Sequence, residues 1–109
     1  MTRDFRLTPQ AQSSLIEIAR WTIETFGLRQ AEIYEAELIA RCEAVARGEV
    51  ASRSCSELVS TARDLRYCRA GEHFLVFLDS EDVVVIVDVL HARSDLPRHV
   101  AVLVRQQEG

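Results

Sequence analysis

The chain has 109 residues, which predicts a single domain spanning residues 1–109, and its formal net charge is −4. That acidity argues against broad, nonspecific binding of nucleic acid, because a polyanion repels a surface of the same sign. Charged residues interrupt any apolar run near the N-terminus, and no stretch approaches the roughly 20 apolar residues that span a bilayer. We therefore expect a soluble, cytoplasmic protein with no membrane contact.

The cysteines and the basic residues are informative through their spacing and type as well as their number. The three cysteines, Cys42, Cys55 and Cys68, are an odd number at long spacings, which fits neither a disulfide framework nor a zinc site. We expect three buried, reduced thiols, no bound metal and no other cofactor. All 13 basic residues are arginine, whose planar guanidinium group suits carboxylates and phosphates. The densest group is predicted to form one local basic patch and consists of Arg63, Arg66 and Arg69.

The first half of the chain predicts a short strand followed by two helices. Residues 4–7 alternate polar and apolar, as a brief strand does. Thr8-Pro9 predicts a helix start, because threonine is a good N-cap and proline fits the first helical position. Gly27 is predicted to end this helix as a left-handed cap, and Gly48 to end a second helix over residues 28–47. Because almost no loop joins them, the helices are expected to form an antiparallel hairpin.

Each predicted helix carries an apolar stripe that is expected to face the core. Its residues recur every three or four positions, which is the period of one helix face. Aromatic side chains on such a stripe can stack on a ligand or a base, but they more often pack in a core, so we assign Trp21 and Tyr34 to the core. The stripes comprise Ala11, Leu15, Ile18, Ala19, Thr22 and Phe26 in the first helix, and Ala31, Tyr34, Leu38, Cys42 and Val45 in the second.

The second half of the chain predicts strands connected by polar turns. After a serine-rich loop over residues 49–62, short strands are expected at 65–68 and 73–78. The valine-rich run at 83–90 is apolar at nearly every position, which is typical of a central strand, and the three strands form an antiparallel meander. Strict alternation places Val83, Val85, Val87, Val89, His91 and Arg93 on one face of this strand and Asp88 on the other.

The chain ends in a short predicted helix. Asp95 is a suitable N-cap, the helix continues through Pro97, Val100 and Leu103, and the tail from Arg105 onward is expected to fray. The predicted fold class is therefore α+β, in the order strand, helix, helix, three strands and a short C-terminal helix. The helical hairpin is expected to lie over one face of an antiparallel sheet.

Four segments, taken in order, carry a resemblance to a known family. They are Phe5-Arg6-Leu7-Thr8-Pro9-Gln10-Ala11, then Phe26-Gly27 with Gln30-Ala31 and Tyr34, then Leu65-Arg66 ahead of Gly71 and His73, and finally Val89-Leu90-His91-Ala92-Arg93-Ser94-Asp95. The last segment has the form hydrophobic-His-x-Arg-x-Asp. In this order and at these spacings, the segments resemble the ParE/RelE toxins of bacterial type II toxin–antitoxin operons. The resemblance covers nearly the whole chain and implies a RelE/ParE-like fold.

The resemblance implies one of two activities, because one fold carries both in this family. RelE-like members cut messenger RNA in the ribosome without a metal, using basic side chains around the scissile phosphate and often a late tyrosine. The matching candidates here are Arg66, His91 and Arg93. ParE-like members bind DNA gyrase and block its cycle. Because this chain has no lysine and no tyrosine after Tyr67, we favour the ParE-like activity and expect no catalytic residue.

The resemblance also implies a partner, a cognate ParD-like antitoxin of the ribbon-helix-helix type. Its tail would wrap the toxin, cover apolar side chains and pair its acidic residues with arginines. We expect no sequence-specific DNA binding by this chain alone. A further possibility is an inactive module that binds its antitoxin but has no target. The residues expected to bind the antitoxin are Trp21, Phe26, Tyr34, Arg63, Arg66, Arg69 and Arg93.

The histidines allow two interpretations. His91 and Arg93 could present an imidazole acid or base beside a guanidinium that binds phosphate. Alternatively, His91 hydrogen-bonds at the rim of the sheet, Arg93 pairs with a carboxylate and Asp95 caps the last helix. We prefer this second, structural interpretation. His73 and His99 are expected to be isolated, with a structural or solvated role.

Overall fold

The computed structural model describes residues 3–108 and confirms the α+β class. A five-stranded sheet lies between two helical layers, with the antiparallel hairpin on one face and the C-terminal helix on the other. No helix in the described part of the chain is long and apolar enough to cross a membrane. The elements are β1 (Asp4–Leu7), α1 (Pro9–Phe26), α2 (Leu28–Ala46), β2 (Arg53–Ser54), a 3₁₀ turn (Cys55–Glu57), β3 (Leu65–Ala70), β4 (His73–Asp79), β5 (Val83–His91) and α3 (Leu96–Glu108).

The sheet is mixed and not purely antiparallel as the sequence predicted. Its strand order is β1-β5-β4-β3-β2, and β1 runs parallel to β5, whereas the remaining neighbours are antiparallel. A parallel pair requires a long crossover between its strands, and the hairpin with the other strands supplies it here. The valine-rich strand β5 lies between β1 and β4, so it is not an edge strand, as predicted, but the middle strand of the five is β4 and not β5. The two-residue strand β2 falls in the predicted loop, because so short a segment carries no periodicity.

The hairpin begins and turns at the predicted residues. The hydroxyl of Thr8 accepts the backbone N–H of Ala11 at 3.1 Å, and Pro9 occupies the first helical turn. Gly27 has φ +96° and ψ 165°, so it is extended and not left-handed helical as predicted, although its positive φ still favours glycine. Its N–H donates to the carbonyl of Ile23 at 2.9 Å, and its own carbonyl accepts from Ala31 at 3.2 Å. One residue thus ends α1 and begins α2.

Two apolar clusters occupy the two faces of the sheet. The hairpin-side cluster contains Leu38, Cys42 and Cys68, whereas the cluster beneath α3 contains Cys55. All three cysteines are buried and free, as the sequence predicted, and burial raises the pKa of the Cys42 thiol to about 12. Such thiols stay protonated and unreactive at neutral pH.

A β-bulge in β5 overturns the predicted alternation of its side chains. Val76 lies opposite Asp88 and Phe77 lies opposite Ile86, so Val87 is an extra residue without a partner on β4. Val87 therefore belongs to the cluster beneath α3, whereas Val89 belongs to the hairpin-side cluster. His91 does not share a face with Val87, contrary to the prediction.

The C-terminal helix is longer and better packed than expected. Asp95 caps it as predicted, since its side chain accepts the N–H of Arg98 at 3.3 Å. The helix continues to Glu108, so the expected fraying from Arg105 is wrong. The reason is that Val100 and Val104, one helical turn apart, are both buried against the sheet and fix that turn.

The turn between β3 and β4 requires glycine at position 71. Gly71 has φ +59°, and an added Cβ would lie 2.8 Å from Cε1 and 2.9 Å from Oη of Tyr34. Gly48 has a similar φ of +74°, but an added Cβ there would meet no atom within 4 Å. The two glycines therefore separate the backbone requirement from the contact with Tyr34.

We predict that Gly71→Ala lowers the free energy of unfolding by about 2–3 kcal/mol, because it combines left-handed backbone strain with displacement of the Tyr34 ring. The control Gly48→Ala should cost about 1 kcal/mol, since only the backbone is strained. Urea unfolding measures both values. Equal losses in the two variants would contradict the contact with Tyr34.

Candidate functional site

Two aromatic side chains that the sequence assigned to the core or to its stripe are exposed. Trp21 is 57% exposed and Phe26 is 63% exposed, and their rings meet edge to face with centroids 5.8 Å apart. Trp21 neighbours the buried Thr22 but is turned about 100° from it around the helix. Phe26 is the last residue of α1, where no described element covers it. Apolar periodicity in a helix identifies the apolar face, but it does not show whether another element of the protein covers each residue of that face.

These aromatic residues border a groove between α1 and the end of the sheet. Two adjoining cavities of about 410 and 350 Å³ form it, and both contain Trp21, His73 and His91. The smaller cavity also contains Phe26, Tyr34 and Arg93. We call these six residues the aromatic groove. Of the seven residues predicted to bind a partner, four therefore meet at one site.

Tyr34 organises the floor of the aromatic groove. Its hydroxyl accepts the backbone N–H of Glu72 at 2.9 Å and lies 2.6 Å from Nδ1 of His73. The His73 ring packs against His91 across the strands, with centroids 5.1 Å apart. His73 is only 8% exposed, and this burial is the main cause that lowers its pKa to about 4. His73 is therefore structural, as expected, but it is not isolated.

The chain makes a tight turn at the end of β5 and carries Arg93 into the groove. Nδ1 of His91 accepts the backbone N–H of Arg93 at 3.0 Å, and the His91 carbonyl accepts the N–H of Ser94 at 3.0 Å. The N–H of Ala92 donates to the carbonyl of Glu72 at 2.8 Å. The predicted hydrogen bond of His91 at the rim is confirmed. The predicted ion pair of Arg93 is not found among the described side chains, those of residues 3–106.

Arg66 lies away from the other two residues considered for RNA cleavage. In the sheet, Arg66 is opposite Phe77, whereas His73 is opposite both Ala70 and His91. Four residues along a strand span roughly 13 Å. The Arg66 guanidinium is already engaged, because Nε donates to the Ser52 hydroxyl at 2.7 Å and Nη2 to the Ser52 carbonyl at 2.9 Å. His91 and Arg93 thus adjoin each other, and Arg66 does not join them.

The predicted basic patch does not exist as one surface. Arg66 and Arg69 are three positions apart on β3, which puts their side chains on opposite faces. The Arg69 guanidinium lies over the Phe74 ring at 5.4 Å, and its Nε donates to the Gly71 carbonyl at 2.6 Å. Arg63 precedes the strand in an exposed turn. The close spacing of the three arginines in the sequence suggested a patch, but the alternation of side chains along β3 separates them.

The groove contains one residue whose position there the sequence did not suggest, namely His73. The sequence predicts the turn before β4 that places His73 opposite Ala70. The position of His73 opposite His91 depends on the bulge in β5, which the sequence did not predict. Within the described residues, no group of three His, Cys, Asp or Glu side chains could hold a metal ion. The groove therefore offers apolar rings, a neutral imidazole and the guanidinium of Arg93.

We predict that His73 makes stability depend on pH. The pKa of His73 is near its ordinary 6.5 in the unfolded chain but about 4 in the folded chain, so protonation favours unfolding and stability falls as the pH drops between these values. The loss from pH 7 to pH 5 should be about 2 kcal/mol. His91 and Arg69 also depress this pKa, whereas Glu72 opposes them.

Urea unfolding at several pH values measures this effect. In His73→Gln the slope between pH 7 and pH 5 should flatten, whereas in the exposed control His99→Gln it should remain. An unchanged slope in His73→Gln would refute the assignment.

The sequence pattern of one family, described as the ParE toxin of the type II toxin-antitoxin system, parDE, matches residues 5–96. The chain is 34% identical over 100 residues to Toxin ParE1 from two strains of Mycobacterium tuberculosis, covering 91% of this chain and 99% of that protein.

A solved structure is similar in fold. The protein, described as the chromosomal ParDE TA system from P. aeruginosa, superposes with a TM-score of 0.69 and covers 84% of this chain and 98% of that one. At 14% sequence identity, this similarity shows a shared fold and nothing further. The family pattern and the relative from M. tuberculosis each cover most of the chain, and the chain therefore belongs to the ParE toxin family of type II toxin–antitoxin systems.

Proposed function

We propose that this toxin inhibits DNA gyrase in the cytoplasm and that a cognate ParD-like antitoxin neutralises it by binding the aromatic groove. The observation that carries the choice of target is the separation of Arg66 from His91 and Arg93. Cleavage of RNA requires a base, cations around the phosphate and an acid at one place. Two candidates that adjoin and one that lies roughly 13 Å along the sheet do not assemble that cluster. We therefore assign the toxin no catalytic residue.

The remaining nuclease candidates are also poorly suited to proton transfer and phosphate binding together. Nδ1 of His91 is occupied by the N–H of Arg93, which leaves only Nε2 for chemistry. Tyr34 is the tyrosine in the groove, and its hydroxyl is committed to Glu72 and His73. Burial raises the pKa of Tyr34 and so makes its phenolate less accessible. The alternative to gyrase inhibition is a ribosome-dependent nuclease activity.

The groove suits an antitoxin segment that carries both apolar and acidic side chains. Trp21 and Phe26 expose large apolar surfaces beside Arg93, which makes no ion pair with the side chains of residues 3–106. An apolar anchor buried between the rings would exclude water, and a carboxylate at Arg93 would then form a charge-assisted hydrogen bond. This pairing supplies both affinity and orientation.

The three arginines around β3 would meet a different segment of the same antitoxin. Arg66 and Arg69 point to opposite faces of the sheet, so no single short segment contacts both. A tail that wraps the toxin can reach them in succession, as coupled folding and binding allows. We therefore divide the seven proposed contacts into Trp21, Phe26, Tyr34 and Arg93 in the groove, and Arg63, Arg66 and Arg69 around β3.

We predict that purified toxin inhibits the supercoiling of relaxed plasmid by gyrase and produces no site-specific cuts in messenger RNA on translating ribosomes. Gel electrophoresis measures the first result and primer extension the second. Cuts that appear within minutes and are lost in Arg66→Ala would establish the nuclease instead. Growth that continues on induction, with neither effect in vitro, would identify an inactive antitoxin-binding module.

We predict that Trp21→Ala and Arg93→Ala each weaken antitoxin binding about 10- to 100-fold, because each removes an anchor of the groove. Isothermal titration with the purified antitoxin encoded beside the toxin gene measures the dissociation constants. Ile16→Ala and Arg20→Ala are matched controls, since these α1 residues line a separate cavity and Ile16 is 60% exposed. Losses as large in the controls would show that the antitoxin binds elsewhere.

A further inference from the structure

The hydroxyl of Tyr34 is fully engaged inside the protein, although its ring lines the aromatic groove. It accepts the N–H of Glu72 at 2.9 Å and lies 2.6 Å from Nδ1 of His73, while the carbonyl of Ala70 is 3.4 Å away. A phenol has one proton to donate. Nδ1 of His73 is therefore the better placed acceptor, because the distance to the Ala70 carbonyl is long for a hydroxyl donor. On these two distances we assign the proton of Tyr34 to Nδ1 of His73.

This donation fixes the tautomer of His73. Burial lowers the pKa of His73 to about 4, so the ring is neutral at neutral pH and carries one N–H. Because Nδ1 accepts from Tyr34, that hydrogen is on Nε2. The imidazole is thereby held in a single orientation against the ring of His91, whose centroid is 5.1 Å away.

A short chain of backbone hydrogen bonds connects Tyr34 to Arg93. The N–H of Glu72 donates to the Tyr34 hydroxyl, and the Glu72 carbonyl accepts the N–H of Ala92 at 2.8 Å. The next residue, Arg93, donates its N–H to Nδ1 of His91 at 3.0 Å. The turn that carries Arg93 is thus hydrogen-bonded to the β3–β4 turn through Glu72. The β3–β4 turn is in turn hydrogen-bonded to the hydroxyl of Tyr34. Gly71 lets the Tyr34 ring approach closely enough for both contacts.

We propose that Tyr34 is a positioning residue, whose hydroxyl orients the turn over residues 91–94 so that Arg93 faces an acidic side chain of the antitoxin. The hydroxyl itself makes no contact with the partner. This inference rests on the proposed function, because it takes the antitoxin as the occupant of the groove. Holding Arg93 in its bound orientation reduces the conformational freedom lost on binding, which strengthens the complex without adding a contact.

Two measurements on the toxin alone test the positioning. In ¹⁵N spectra at pH 7, wild-type His73 should show a protonated Nε2 and an unprotonated Nδ1, and Tyr34→Phe should lose this signature. The amide of Ala92 should exchange about tenfold faster in Tyr34→Phe, with amides in the interior of β5 unchanged. A protonated Nδ1 in the wild type, or unchanged exchange at Ala92, would overturn the proposal.

A double-mutant cycle on the complex tests whether the hydroxyl acts through Arg93. Tyr34→Phe should weaken antitoxin binding about tenfold in the wild-type background but less than about twofold when Arg93→Ala is already present. Equal losses in both backgrounds would overturn the proposal. The matched control is Tyr67→Phe, which alters the other tyrosine, in the core beneath α3, and should leave the affinity unchanged.

The outcomes separate this inference from the proposed function. If Arg93→Ala alone leaves antitoxin affinity unchanged, the groove is not the antitoxin site and the proposed partner site fails. The ¹⁵N and exchange measurements would then still decide whether Tyr34 orients the turn. If Arg93→Ala weakens binding but Tyr34→Phe does not, the groove assignment stands and the positioning role fails.

Discussion

The hydroxyl of Thr8 makes two hydrogen bonds on which the arrangement of the fold depends. It accepts the N–H of Ala11, which caps α1, and it donates to the carbonyl of Val87 at 2.8 Å, within the bulge of β5. One side chain therefore contacts both the start of the helical hairpin and the bulge in β5. Because β5 is buried on both faces, a displaced register there would turn apolar side chains toward solvent and polar ones into the core.

The bulge has a direct consequence for the aromatic groove. With strict alternation His91 would share a face with Val87 and lie beneath α3, far from Tyr34. The extra residue returns Val89 and His91 to the hairpin side, where His91 meets His73 across the strands. Asp88, which follows the bulge residue Val87, is buried, and its carboxylate accepts from the hydroxyl of Ser14 and from the N–H of Val89. Desolvation raises the pKa of this carboxyl, while both hydrogen bonds oppose that rise.

The hairpin stabilises the sheet with one face and leaves its tip uncovered. Ala11 and Thr22 are buried, whereas Trp21 and Phe26, on the same helix, are exposed. Two aromatic rings exposed side by side do not stabilise the fold, and exposed apolar patches of this kind mark interaction sites. Under the proposed function this uncovered tip beside Arg93 is the antitoxin site, where burial of aromatic rings and of a charge pair would reinforce each other.

The sequence by itself determined the elements that depend on local chemistry: the Thr8-Pro9 start, the Gly27 turn, the Asp95 cap, the interior position of β5 and the family segments. Tertiary structure alone decided three further features, namely the parallel pairing of β1 with β5, the bulge at Val87 and the exposure of Trp21. The reason is that caps and turns are set by neighbouring residues. Strand partners, register shifts and the cover over a helix face depend on residues far away in the chain, and these also decide which functional side chains meet.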